Sequence, residues 1–295
     1  MLISSLNKDS GVKMMDKSIL ETLSKEKSHI QKLLESIRKI NRYQSKPLDN
    51  LHKIKYEVSR IEQKLKQTKL NNFTIKELDQ YIQSVKSKIS DWEEETRRNF
   101  GQKLEEGLKK EGFELRGHYP LLKVSLYTLE VNFENSKVLI WYGPRQEKLE
   151  TCKLDPNEII RKIKILHGDI TQRCFDDTKF LSKIYEAYNI SVYRQNKKLG
   201  DQIPISDILF TYAFLIQDKK FKMDPTKSNY KEYGRVYFSY DLYRLKKRRI
   251  DDKELNLITA TRAYTRRRSD FLWIPSNERG DGDYISHIKF REVKS

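Results

Sequence analysis

Residues 230–275, YKEYGRVYFSYDLYRLKKRRIDDKELNLITATRAYTRRRSDFLWIP, decide how the chain is read. They interleave the rings of Tyr233, Tyr237, Phe238, Tyr240, Tyr243, Tyr264, Phe271 and Trp273 with two basic runs, Lys246, Lys247, Arg248 and Arg249, then Arg266, Arg267 and Arg268. Over 235–245, Val236, Phe238, Tyr240 and Leu242 alternate with Tyr237, Ser239, Asp241 and Tyr243, the two-residue period of a strand; Tyr233, Tyr237 and Tyr240 also fit helical spacing. The strand is the expectation here. Further strands are expected over 255–264, 271–274 and 284–293, with a Gly/Asp-rich turn over 277–283. Pairing through a turn at 250–253 would make a basic hairpin, its first cluster near the tip and its second toward the base.

Cations beside flat rings suit a phosphate backbone and stacked bases. The whole chain points the same way: 59 Lys and Arg against 42 Asp and Glu give a net charge of +17, which favours polyanionic partners. The excess is concentrated over 235–268, where 11 basic residues face four acidic ones. Phosphate contacts are therefore assigned to Lys246, Lys247, Arg248, Arg249, Arg262, Arg266, Arg267 and Arg268, with Tyr264 stacking or hydrogen bonding. DNA is the favoured nucleic acid.

Upstream of this stretch the character changes near Gly112, from helical text rich in Lys, Glu, Leu and Ile to strands and turns. Residues 1–15 are polar and aperiodic, expected as a disordered lead-in. From Asp16, Ile19, Leu23, Ile30, Leu33, Ile37 and Ile40 keep a heptad rhythm, interrupted at Glu26, and Pro47 ends it. Leu51, Ile54, Val58, Ile61 and Leu65 resume it. A third helix is expected behind a Thr74/Glu77 capping box with Phe73 as staple, running to a stop at Gly112. Residues 16–111 thus read as a helical, coiled-coil arm that contacts protein partners, such as a separate ATPase or nuclease, or another copy of the chain.

Residues 112–295 read as a mixed α+β domain with a basic C-terminal antiparallel sheet. Strands are expected over 121–133 and 137–142 around a turn at Glu134–Asn135–Ser136, and over 147–154. Asp155 and Pro156 cap a helix carrying Ile159, Ile160, Ile163 and Leu166; two more helices fit 177–188 and 205–217. Three short helices followed by strands resemble the order of a winged-helix domain, an analogy of element order.

Catalytic signals are sparse. No Gly-rich phosphate cradle of the Walker type is present. The two cysteines, Cys152 and Cys174, lack a neighbouring His or a CxxC context, and His29, His52, His118, His167 and His287 form no metal-spaced pair. The Gly280–Asp283 run lacks the ligand spacing of an EF-hand. Asp283 with Glu292 and Lys294 resembles the minimal carboxylate-lysine pattern of the PD-(D/E)xK nucleases, which implies a metal-dependent nuclease. No proline-aspartate pair accompanies it. The expectation is a cytoplasmic, non-enzymatic, nucleic-acid-binding accessory subunit without cofactor or membrane contact, in a setting such as defence against foreign DNA. The nuclease and a pure coiled-coil scaffold are the alternatives.

Overall fold

The computed structural model describes residues 7–66 and 70–293, with side chains from Lys17 onward. It combines helices with antiparallel sheets in two compact units that part between Gly101 and Gln102.

The first unit holds α1 (Asn7–Tyr43), α2 (Pro47–Leu65) and the greater part of α3 (Asn72–Lys110). Helix α1 takes in residues 7–15, which the sequence assigned to a lead-in; residues 1–6 lie outside the described residues. Pro47 occupies the first turn of α2, where its missing N–H costs nothing. The Lys86–Glu62 pair at 2.6 Å and the Lys55–Glu93 pair set α2 and α3 antiparallel. Leu33 and Ile40 of α1, Ile54, Val58 and Ile61 of α2, and Ile82, Val85 and Ile89 of α3 share one apolar core. Part of the heptad row is thus satisfied inside the chain. Helix α3 is capped differently from the expected box: the Asn71 side-chain oxygen accepts the Thr74 N–H at 2.7 Å, and Phe73 is exposed. Asparagine one residue before the helix reaches that orphan donor first, leaving Thr74 inside the first turn.

The second unit begins inside α3 rather than at Gly112, because Leu104 and Leu108 are fully buried and Gly107 lies against Ile160. Gly112, at φ +82°, ends the helix in the left-handed region as expected. A five-stranded antiparallel meander follows: β1 (Leu115–His118), β2 (Leu121–Val124), β3 (Tyr127–Asn132), β4 (Lys137–Tyr142) and β5 (Glu147–Lys153). The run 121–133, expected as one strand, is a hairpin, turned at Ser125 with φ +48°. Then come α4 (Pro156–Thr171), capped by the Asp155 side chain on the Asn157 N–H, and α5 (Asp177–Arg194), capped by Asp176 on Thr178 and Lys179. The remainder is β6 (Ile203–Pro204), α6 (Ile205–Leu215), α7 (Lys219–Met223), α8 (Arg235–Arg244), β7 (Arg249–Ile250), β8 (Lys253–Thr259), β9 (Leu272–Pro275) and β10 (Gly282–Glu292). The second sheet runs β6-β10-β8-β7, with β9 also pairing β10.

Residues 235–244 are therefore helical, which overturns the strand expected from their alternation. Phe238, Ser239, Tyr240, Asp241 and Leu242 are all buried, so the helix has almost no solvent face to impose a 3.6-residue pattern. Phe238 and Leu242 meet Phe180, Ile184 and Tyr212 in the core beneath the second sheet. On the other side, the Ser239 hydroxyl donates to the Trp273 carbonyl at 2.5 Å and lies 3.1 Å from the Tyr142 hydroxyl.

Trp273 also fixes the β4–β5 turn. Gly143 has φ +64°, and a methyl there would run into the Trp273 ring, whereas Gly112 faces open space. Gly143→Ala is expected to lower unfolding free energy by about 2–4 kcal/mol, combining left-handed strain with overpacking. Gly112→Ala carries the strain alone, about 1–2 kcal/mol, and denaturant unfolding of both variants separates the two effects.

Candidate nucleic-acid interface

The basic residues singled out in the sequence fall into two places. Lys246, Lys247 and Arg248 are exposed in the link between α8 and β7, where the Lys246 N–H donates to Asp177 Oδ2 at 3.3 Å. Arg249 opens β7, and its Nε donates to the Asp251 carbonyl at 3.1 Å in the tight β7–β8 turn. Asp251, at φ +49°, makes that turn, so the 250–253 turn forms as read. Its first strand is two residues long, however, because the preceding segment is helical.

Arg262, Tyr264, Arg266 and Arg267 are exposed on the loop 260–270 beyond the far end of β8. The seven residues of β8 hold the two groups roughly 20–25 Å apart, so they do not make one hairpin patch. Internal bonds order the loop: Ala260 N–H to the Tyr284 carbonyl at 2.6 Å, Tyr264 N–H to Thr261 at 2.9 Å and Asp270 N–H to Arg267 at 3.0 Å. Tyr264 is tied down as well, its ring edge-on to His287 with centroids 4.9 Å apart. Burial, and then the Lys197 ammonium, hold the His287 imidazole below its usual range, so it is neutral at pH 7 and adds no charge here.

Arg268 is not available as a free phosphate ligand. Its guanidinium grips the buried carboxylate of Glu147, which also accepts from Arg235 Nε at 2.5 Å. Arg235 in turn donates to the Phe271 carbonyl at 2.6 Å. This cluster anchors the base of the loop to β5 and α8, a structural use of an arginine that reads in sequence like its neighbours.

The gap between the two groups is filled by residues the sequence reading passed over. Along β10, Ile288 and Phe290 enter the core while His287, Lys289 and Arg291 alternate to the opposite face. Their register partners on β8 are Ile258, Asn256 and Glu254, and Glu254 pairs in turn with Arg249 of β7. The open face of the sheet thus carries Arg249 and Arg291 on either side of Glu254, with Lys289 next along β10 toward Arg262, Arg266 and Arg267. The signal was present in ISHIKFRE, whose apolar and basic residues alternate.

The carboxylates of the nuclease pattern lie apart. Asp283 and Glu292 stand near opposite ends of β10, nine residues or roughly 30 Å apart, too far to share a metal ion. Glu292 is engaged by Lys253 at 2.6 Å, and Lys294 lies outside the described residues. Among the described residues no cluster of three or more His, Cys, Asp or Glu side chains could hold a metal. Burial pushes the Cys152 thiol up to about 11, leaving it protonated at neutral pH. No described helix is long and apolar enough to cross a membrane.

A second polar centre lies at the edge of a cleft of about 970 Å³ lined in part by Arg173, Tyr212, Tyr233 and Tyr237. Asp241 accepts from Arg173 Nη2 at 2.5 Å, Arg244 Nε at 2.9 Å and the Tyr233 hydroxyl at 2.5 Å. Burial, with the Asp241 charge, pushes the Tyr233 phenol up, so it remains a donor. Arg173 also stacks on Tyr237, 4.2 Å from its centroid. These bonds, with Arg244 Nη2 a further 2.7 Å ion-pair contact to Asp241 Oδ1, make this a structural lock between α8 and the segment before α5.

Comparison with protein-family models, with curated proteins and with solved structures finds no match to this chain, and its functional reading rests on the geometry above.

Proposed function

We propose that the chain binds nucleic acid, DNA in preference, through the open face of its C-terminal sheet and the adjoining loop 260–270. The observation that supports this is the row of Arg249, Arg291 and Lys289 on one sheet face, continued by Arg262, Arg266 and Arg267. Spaced cations on one face gain by releasing counterions from a phosphate backbone. The reading is non-enzymatic: the protein acts in the cytoplasm as an accessory subunit, leaving chemistry to a partner such as an ATPase or nuclease.

With α7, β7 and β9 set aside, the order α5, β6, α6, α8, β8, β10, with β10 between β6 and β8, supports a winged-helix reading. In that comparison the loop 260–270 together with β9 takes the place of the wing, and α8 that of the groove-reading helix. Helix α8 is buried, and its Arg235 and Arg244 are held by Glu147 and Asp241. Contact through the wing and sheet face, directed at phosphates rather than base edges, is the form of binding this favours.

Fluorescence anisotropy with short duplex DNA across a salt series tests the proposal. Six phosphate contacts give log K a slope near −5 against log salt, and Arg262→Ala/Arg266→Ala/Arg267→Ala is expected to flatten it by about 2–3. Unchanged affinity in that variant would remove the loop from the interface. Absence of any binding at low salt would favour the scaffold reading.

A further inference from the structure

Helix α1 has two apolar faces, and only one is used within the chain. At about 100° per residue, Leu33, Ser36, Ile37 and Ile40 form the face that packs on α2 and α3. Ile19, Leu20, Leu23, Ile30 and Leu34 form a neighbouring stripe about 100° wide, the width by which a globular helix meets its core. These five side chains are between 41% and 67% exposed. Single exposed leucines need no explanation; five on one stripe do.

We infer that this stripe is a homodimer interface, in which α1 pairs antiparallel with α1 of a second copy about a two-fold axis passing between Glu26 and Lys27. The argument for a second copy rests on the spacing itself. An isologous contact requires a surface that matches its own reverse. Reversed about that point, position 19 falls opposite 34 and position 23 opposite 30, so Ile19 meets Leu34 and Leu23 meets Ile30, each twice. Leu20 adjoins Leu34 at either end. Four of the five thus meet one another as an isologous contact requires, and Leu20, opposite the buried Leu33, lies at the margin.

The size is also adequate. Five largely exposed aliphatic side chains offer roughly 500 Å² of surface per chain, hence about 1,000 Å² for the pair, at the lower bound of specific interfaces. The paired segment, 19–34, is about 23 Å long. At its C-terminal end the stripe adjoins Leu33, the first α1 residue of the core shared with α2 and α3. Reversed about the same point, Lys27 falls opposite Glu26 of the second copy, which sets an opposite-charge pair beside the axis. A dissociation constant on the order of 1–100 µM follows for such a small interface.

Sedimentation velocity of the full chain over that concentration range tests the inference. The wild type is expected to move from monomer to dimer. Leu23→Lys/Ile30→Lys should weaken dimerisation at least ~100-fold with an unchanged circular dichroism melt, since both residues are exposed in the monomer. Lys27→Glu, which sets two carboxylates opposite each other at the axis, should weaken it as well. Orientation is read by oxidative cross-linking in a Cys174→Ser background: Ile19→Cys/Leu34→Cys should link two chains, and Ile19→Cys alone should not. A monomer throughout, or a dimer indifferent to Leu23→Lys/Ile30→Lys, overturns the interface. Efficient linking by Ile19→Cys alone overturns the antiparallel arrangement.

Discussion

Asp241→Ala is expected to cost the second unit roughly 3–5 kcal/mol of unfolding free energy, the largest effect of any single substitution considered for this protein. The carboxylate is 4% exposed and accepts from Arg173, Arg244 and Tyr233 at once. Removing it leaves two partly buried guanidinium groups facing each other without a counter-charge. It also strands the Tyr233 hydroxyl, which burial keeps protonated. Chemical denaturation read by tryptophan fluorescence measures the loss, because Trp273 packs against α8 through the Ser239 bond. A change below about 1 kcal/mol would mean that water readily replaces the carboxylate, and that the lock is a surface feature after all.

Lys289→Glu/Arg291→Glu is expected to reduce duplex affinity at least ~100-fold at moderate salt while leaving the melting temperature within a degree or two. Both side chains project from the open face of β10, and their inward neighbours Ile288 and Phe290 are untouched. Two favourable phosphate contacts become two repulsive ones in the middle of the row, where rotation on the surface cannot avoid them. If affinity falls only for the loop variants and not for this one, binding is confined to residues 260–270 and the sheet face is a bystander.

How much of this could be read from the chain alone depended on whether local pattern and tertiary position agreed. The three N-terminal helices, the capped α4 and the β3–β4 turn were legible because their apolar spacing and turn residues need no partner to be interpreted. Helix α8 was misread because burial from both sides erases periodicity: Ser239 and Asp241 look like solvent positions of a strand and are held inside by Trp273, Arg173 and Arg244. Charge was legible as a total but not as a surface. Arg268 resembles Arg266 and Arg267 in sequence, yet only it meets Glu147, 121 residues earlier. Lys289 and Arg291 are separated by Phe290, and a strand register is needed to line them up with Arg249.

The register of β10 against β8 slips by one residue between Ile285 and His287, where Ser286 is left over and bonds to the Ile258 carbonyl at 3.4 Å. That extra residue separates two phases of one strand. Continued in step from the buried Ile285, the strand would turn His287, Lys289 and Arg291 into the core and Ile288 and Phe290 out to water. The bulge absorbs Ser286 and so keeps His287, Lys289 and Arg291 together on the outer face.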